Sequence, residues 1–178
     1  MAMDTGTERI NQELVTALTT AMRTVFGEDS RRIRHALAVL EYACEIMDRE
    51  RSVDCDVVVA AAILHDIGIQ EAERKHGSSA GVYQEQEGPR IAEPIMRKLD
   101  MHEEAIEHVI RIIANHHSAR DIDTTEFRIL WDADWLVNMP EEYPDLTGAS
   151  MSRKIQKIFR TKAGREKAHE LFLAHRNS

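Results

Sequence analysis

Apolar residues in this chain recur at spacings of three and four, and alternation over four or more residues is hard to find. That pattern constrains the fold to helices, because side chains return to one helix face about every 3.6 residues and to one strand face every second residue. Ile10, Leu14, Ala17, Leu18, Ala21 and Val25 fit one helix face that ends at Gly27. Ser30 suits the N-cap of a second helix. That helix carries two apolar stripes: Ile33, Leu37, Leu40, Cys44 and Met47, and then His35, Val39, Tyr42 and Ile46. A helix apolar on two sides belongs near the centre. Asp54 or Asp56 caps a third helix through residues 57–64, an unbroken apolar run that ends near Gly68.

Residues 70–87 are poor in apolar side chains around a Gly-Ser-Ser-Ala-Gly core, which predicts a surface excursion or lid. Pro89 suits a helix start, with Ile91, Ile95, Met96 and Leu99 behind it. Residues 102–117 form another helix. Thr124 or Thr125 caps one running from Phe127 to Val137, which Asn138-Met139-Pro140 ends. A loop follows, then two short basic helices. The expectation is one all-α domain over residues 1–178, a helical bundle of about seven to nine helices.

Composition narrows the class. The chain of 178 residues is 43% apolar and 30% charged, with four Pro and eight Gly, which excludes disorder and collagen-like repeats. Cys44 and Cys55 show no CxxC spacing, so a disulfide framework and a thiolate zinc site are excluded. The longest apolar run is too short to span a bilayer. No basic segment followed by an apolar one opens the chain, so a cytoplasmic protein is expected. The net charge of −8 argues against broad nucleic-acid binding, but it is uneven. Residues 1–150 hold 15 basic and 29 acidic side chains, net −14, and residues 151–178 hold 8 and 2, net +6.

Nine His point to chemistry. His65-Asp66 closes the most apolar segment. A carboxylate at the end of a buried helix requires a compensating cation, arginine or helix N-terminus. Adjacent residues reach one ion only at a helix end, where Gly68 permits the backbone to loosen. His35 lies in the second apolar stripe of its own helix, where a packed core residue is the common alternative. His116-His117 ends an Ile-rich helix, in a position suited to metal binding, phosphate contact or proton transfer near neutral pH. In Asp132-Ala133-Asp134, positions two apart lie about 200° apart on a helix. Asp134 shares its face with Phe127, Leu130, Trp131 and Val137, so it is the better candidate for the buried carboxylate, with Asp132 left open. A set of imidazoles and carboxylates suits Fe, Mn, Zn, Ni or Co rather than Ca. Such an ion lowers the pKa of a bound water and polarises a phosphoryl oxygen.

The order His35, His65-Asp66, Asp134, with the context AAILHDIG, resembles the HD superfamily over roughly residues 30–140. That resemblance implies an all-α bundle, one or two divalent transition-metal ions, and hydrolysis of a phosphate ester. By position, His35, His65, Asp66 and Asp134 look like the principal ligands. His116 and His117 match the region that binds a second ion in some members. The family's His-x-x-x-Gly pattern reads Gln84 to Gly88 here, and Glu87 could supply a carboxylate instead. Ser118-Ala119-Arg120 stands where the cyclic-dinucleotide branch has Gly-Tyr-Pro, and Ile69 stands where one nucleotidase branch has an acid.

The expected function is therefore metal-dependent hydrolysis of a phosphate mono- or diester of a small molecule or nucleotide. Asp66 or His117 would orient the attacking water. Arg31, one turn before His35, would clamp phosphate, and the basic C-terminal segment with Lys157 would rim the cleft. Two alternatives remain at this level: a diiron oxygenase of the same fold and a non-catalytic metal-stabilised binding module. No membrane partner is expected, and a homo-oligomer is open.

Overall fold

The computed structural model of the protein describes residues 10–173. Among these residues it holds nine α-helices and no strand: α1 (Gln12–Phe26), α2 (Ser30–Met47), α3 (Cys55–Leu64), α4 (Ile69–His76), α5 (Gly81–Lys98), α6 (Glu103–Ile113), α7 (Thr125–Glu142), α8 (Gly148–Ile158) and α9 (Lys162–Leu173). The all-α expectation is met. None of these helices is long and apolar enough to cross a membrane.

The apolar run explains the centre. Val57 to Leu64 are all buried, so α3 has no polar side to give to water. It therefore lies inside, with α1, α2, α5, α6 and α7 packed around it. Each fully buried Val, Ile or Leu contributes roughly 1.5–3 kcal/mol. α1 meets this core through Leu14, Leu18, Met22 and Phe26. The buried stripe is thus offset from the sequence reading, which had Ala17, Ala21 and Val25 in place of Met22 and Phe26. α2 is buried through Ile33, Ala36, Val39, Ala43, Ile46 and Met47, and it lies between α3 and α7.

Side-chain caps fix several helix starts. Asp54 accepts from Val57 N (3.2 Å) and Thr124 from Phe127 N (3.3 Å), at two of the expected positions. For α2 the cap is Asp29, which accepts from Arg32 N, and Ser30 is the first helical residue.

Three expectations are corrected. Residues 70–87 are largely helical: α4 and the start of α5 leave only residues 77–80 between them. Pro89 lies well inside α5, with Pro94 after it. Each proline forfeits one ladder hydrogen bond, and packing of α5 on α4 and α6 outweighs that local loss. Likewise α7 continues through Pro140 to Glu142, closed by Tyr143 N donating to Met139 O (3.0 Å).

Gly68 does not serve to loosen the backbone, since its φ of −82° is ordinary. It serves close packing: a Cβ there would fall on the backbone of Gly88 in α5. The glycine pair lets the start of α4 lie directly against α5, beside the His65-Asp66 turn.

Candidate metal centre

His65 is the C-cap of α3, and Asp66 follows in the turn that leads to α4. The helix ladder has ended there, so neighbouring side chains that would diverge on a helix converge. His35 comes from α2 and Asp134 from α7, the two helices that flank α3 on this side. His35 Nε2 lies 3.2 Å from His65 Nε2, 3.0 Å from Asp134 Oδ1 and 3.5 Å from Asp66 Oδ2. His65 Nε2 lies 3.5 Å from Asp66 Oδ2 and 3.6 Å from Asp134 Oδ1.

These separations test whether an ion fits. Ligand bonds of about 2.1 Å place donor atoms roughly 3.0 Å apart at octahedral edges and roughly 3.4 Å apart at tetrahedral ones. The five separations, 3.0 to 3.6 Å, span that range; His35, His65 and Asp66 form a group whose ligand atoms all lie within 4.8 Å of one another, and Asp134 adjoins it through the two imidazoles. The imidazoles are oriented as ligands. His65 Nδ1 donates to Ala62 O (2.9 Å), which turns Nε2 toward the carboxylates. Asn138, one turn beyond Asp134, donates from Nδ2 to Asp134 Oδ1 (2.8 Å) and fixes that carboxylate.

The electrostatics call for positive charge. Burial alone would lower His65, yet the carboxylates of Asp66 and Asp134 hold it up to about 9. Burial alone would raise Asp66 and Asp134. The imidazoles facing them, His65 and His116 for Asp66 and His35 and His65 for Asp134, instead hold both well below the usual carboxylate range.

A second group adjoins the first through the other oxygen of Asp66. His116 Nε2 lies 3.4 Å from Asp66 Oδ1, is buried, and has no hydrogen-bond partner. Its Nδ1 donates to Ile113 O (2.7 Å), the same orientation as in His65. His117 packs beside it, with ring centroids 4.0 Å apart and the ring planes tilted by 43°. Part of the His117 ring is exposed. Desolvation of the rest, and then the neighbouring His116, push it down to about 4, so it is neutral and keeps a lone pair at neutral pH. Asp66, His116 and His117 can each turn a ligand atom to one point. Glu85 of α5 accepts from His117 N (3.0 Å) and Ser118 N (2.7 Å), which pins the turn that carries both histidines. Nothing local in the sequence marks Glu85, because its partners lie 32 and 33 residues away.

Above these two groups of ligand-type side chains opens a cleft of about 910 Å³. α2 lines it with Arg31, Arg34, His35 and Ala38, and α7 with Asp134, Val137, Asn138 and Glu141. Both sets follow the i, i+3, i+4, i+7 rule of a single helix face. Gln84 and Ser79 line the opposite side. Gln84 Nε2 donates to Ser79 O (2.7 Å), while its buried Oε1 has no partner.

Three sequence expectations are corrected here. Glu87 does not join the histidines: its buried carboxylate accepts from Lys75 Nζ (2.7 Å) and pairs with His76 Nε2 (3.1 Å), both on the unforeseen helix α4. Lys157 is exposed on α8, and among the described residues none beyond Glu142 lines the cleft. The basic helices instead pack on the far side of α7, where Trp131 Nε1 donates to Ile158 O (3.0 Å). Asp132, not Asp134, is the fully buried carboxylate of the pair. It needs no cation, because it accepts from Arg160 N, Thr161 N and Thr161 Oγ1, each at 2.7 Å. The two carboxylates serve opposite faces of α7, one toward the cleft and one toward α9. Arg31 is on the cleft wall as expected, with its side chain 80% exposed and 3.1 Å from Glu141.

Of the other histidines, His76 stacks on Tyr83 (4.2 Å) and His108 meets Thr124 Oγ1 (2.8 Å). His175 lies outside the described residues.

No curated protein and no solved structure gave a match to this chain. The family model for the HD domain matches residues 32–139, a span that begins just before His35 and ends just beyond Asp134. The match covers more than half of the chain and contains both groups of ligand-type side chains on the helices that converge at the cleft. The chain belongs to the HD domain family.

Proposed function

We propose that this protein is a metal-dependent phosphohydrolase that cleaves a phosphate ester of a small molecule or nucleotide. The observation that carries this reading is the convergence of His35, His65 and Asp66 ligand atoms, with Asp134 3.0 and 3.6 Å from the two imidazoles, a set that suits a divalent transition ion. When bound, such an ion supplies a Lewis acid that polarises a phosphoryl oxygen and makes a water acidic near neutral pH.

The chain's own residues do the rest. His35, His65, Asp66 and Asp134 hold the ion, and Asn138 and the Ala62 carbonyl hold two of those ligands in place. Asp66 faces the first group with Oδ2 and His116 with Oδ1. With both its oxygens engaged, proton acceptance falls to His117, neutral and on the cleft wall. Water adds to phosphorus and gives one proton to His117, the ester P–O bond breaks, and His117 passes that proton to the leaving oxygen, which departs as an alcohol.

The purified protein is expected to carry close to one transition-metal ion per chain. Chelation is expected to abolish phosphate release from an ester panel, and adding the ion back is expected to restore it. A metal-free protein with unchanged turnover would overturn the reading.

The second group, Asp66, His116 and His117, is one strong ligand short of a good site. Gln84 offers a neutral amide oxygen, a weaker donor to a transition ion than an imidazole. Gln84→His is therefore expected to raise metal content from about one toward two ions per chain, measured by elemental analysis after gel filtration. Unchanged content would exclude Gln84 from that group.

A further inference from the structure

We infer that the cleft takes a substrate with a single phosphate group, and that Arg34 is the side chain that anchors it. The inference rests on the phosphohydrolase reading and deepens it.

The charges of the cleft carry the argument. Three arginines line it, all from the start of α2. Arg32 is committed: it pairs with Asp29 at 2.9 Å and with Glu73 at 2.6 Å, and its side chain is only 22% exposed. Arg31 is paired with Glu141 at 3.1 Å. Arg34 is exposed and, among the described residues, has no carboxylate partner. Among the described residues it is therefore the one cleft-lining arginine with no carboxylate to leave before it meets an anion. It also shares the Arg31, His35, Ala38 face, one residue before a ligand of the metal centre. A guanidinium fork there can hold two phosphate oxygens at once, which an ammonium cannot.

The same inventory limits the charge of the substrate. Setting aside Asp66 and Asp134, four carboxylates line the cleft, Asp29, Glu73, Glu141 and Glu142, against three arginines. A nucleoside triphosphate carries three to four negative charges and would find one free cation and a rim of carboxylates that repels its outer phosphates. A monophosphate asks for one cation beyond the metal centre. Its leaving group would lie over the small apolar floor made by Ala38 and Val137.

The test uses metal-loaded full-length protein with p-nitrophenyl phosphate, AMP and ATP as substrates, and inorganic phosphate as product inhibitor. For Arg34→Met, KM for p-nitrophenyl phosphate and Ki for inorganic phosphate are expected to rise at least tenfold, with a smaller fall in kcat. Metal content and melting temperature should match wild type, which separates anchoring from a structural role. Arg34→Lys should recover only part of the loss, and Arg31→Met should move each constant less than threefold. Wild type should favour AMP over ATP by at least tenfold in kcat/KM. A phosphate Ki unchanged in Arg34→Met, an equal effect in Arg31→Met, or a preference for ATP would overturn the inference. A metal-loaded wild type that turns over none of the three esters and is not stabilised by inorganic phosphate fails at the phosphohydrolase reading itself and takes this inference with it.

Discussion

Asp66→Ala is expected to empty the metal centre and to lower phosphate release by roughly 1,000-fold, since loss of an ion that supplies several kcal/mol of transition-state stabilisation corresponds to about that factor. Asp66 is the one side chain that belongs to both groups. Its Oδ2 faces His35 and His65 at 3.5 Å, and its Oδ1 faces His116 at 3.4 Å. Removing it leaves three imidazoles converging with one carboxylate, Asp134, to balance a cation. Asp66→Asn keeps the shape and removes the charge, so it separates loss of the ligand from damage to packing. Both variants should elute from gel filtration with less than a tenth of the wild-type metal. Stoichiometric metal in either one would show that Asp66 is not a ligand.

Asp132→Ala should have the opposite profile, a large loss of stability with the metal retained. Asp132 is fully buried and accepts three hydrogen bonds at the entry to α9. Truncation leaves buried N–H donors of Arg160 and Thr161 without partners and opens a cavity beside Gly164. No side chain can fill that space from α9, because Gly164 already lies against the carboxylate. The expected cost is about 3 kcal/mol, from buried donors at roughly 1–3 kcal/mol together with the cavity. For a chain of this size that corresponds to roughly 6–12 °C in melting temperature. Asp132→Asn keeps one acceptor and should lose less. Metal content per folded chain should stay at the wild-type level, since Asp132 faces α9 and Asp134 faces the cleft. A destabilised Asp132→Ala protein that also lost its metal would overturn this division of labour.

These two aspartates show how far local pattern reaches. The spacing argument held that positions two apart on a helix point in opposite directions, and they do. It then gave burial to one face only. α7 is covered on both, by α2 and α3 on one side and by α9 on the other, so the more buried carboxylate is the one without cleft chemistry. Whether an acid is buried against donors or beside imidazoles depends on what another segment brings to it, and Arg160 and Thr161 lie 28 and 29 residues away. Glu87 makes the same point. Its partners Lys75 and His76 sit on α4, in a stretch whose sparse apolar content reads as loop because only Ala72 of that helix is buried. Pro89 and Pro140 mislead for a related reason: each costs one hydrogen bond locally, and packing along α5 and α7 outweighs it.

By itself the sequence determined the helical class, the central place of the run from Val57 to Leu64, and the ordered set His35, His65-Asp66 and Asp134. These follow from periodicity and from the cost of burying charge, which act within a turn or two of chain. Tertiary structure alone decided which arginine stands free at the cleft, that Glu87 and the basic helices lie apart from it, that Glu85 pins the His116-His117 turn, and that Gln84 ends in an unpartnered oxygen. Each of these is a pairing between helices distant in sequence. A side chain's charge is written in the chain, but whether that charge is already neutralised is settled only by what packs against it.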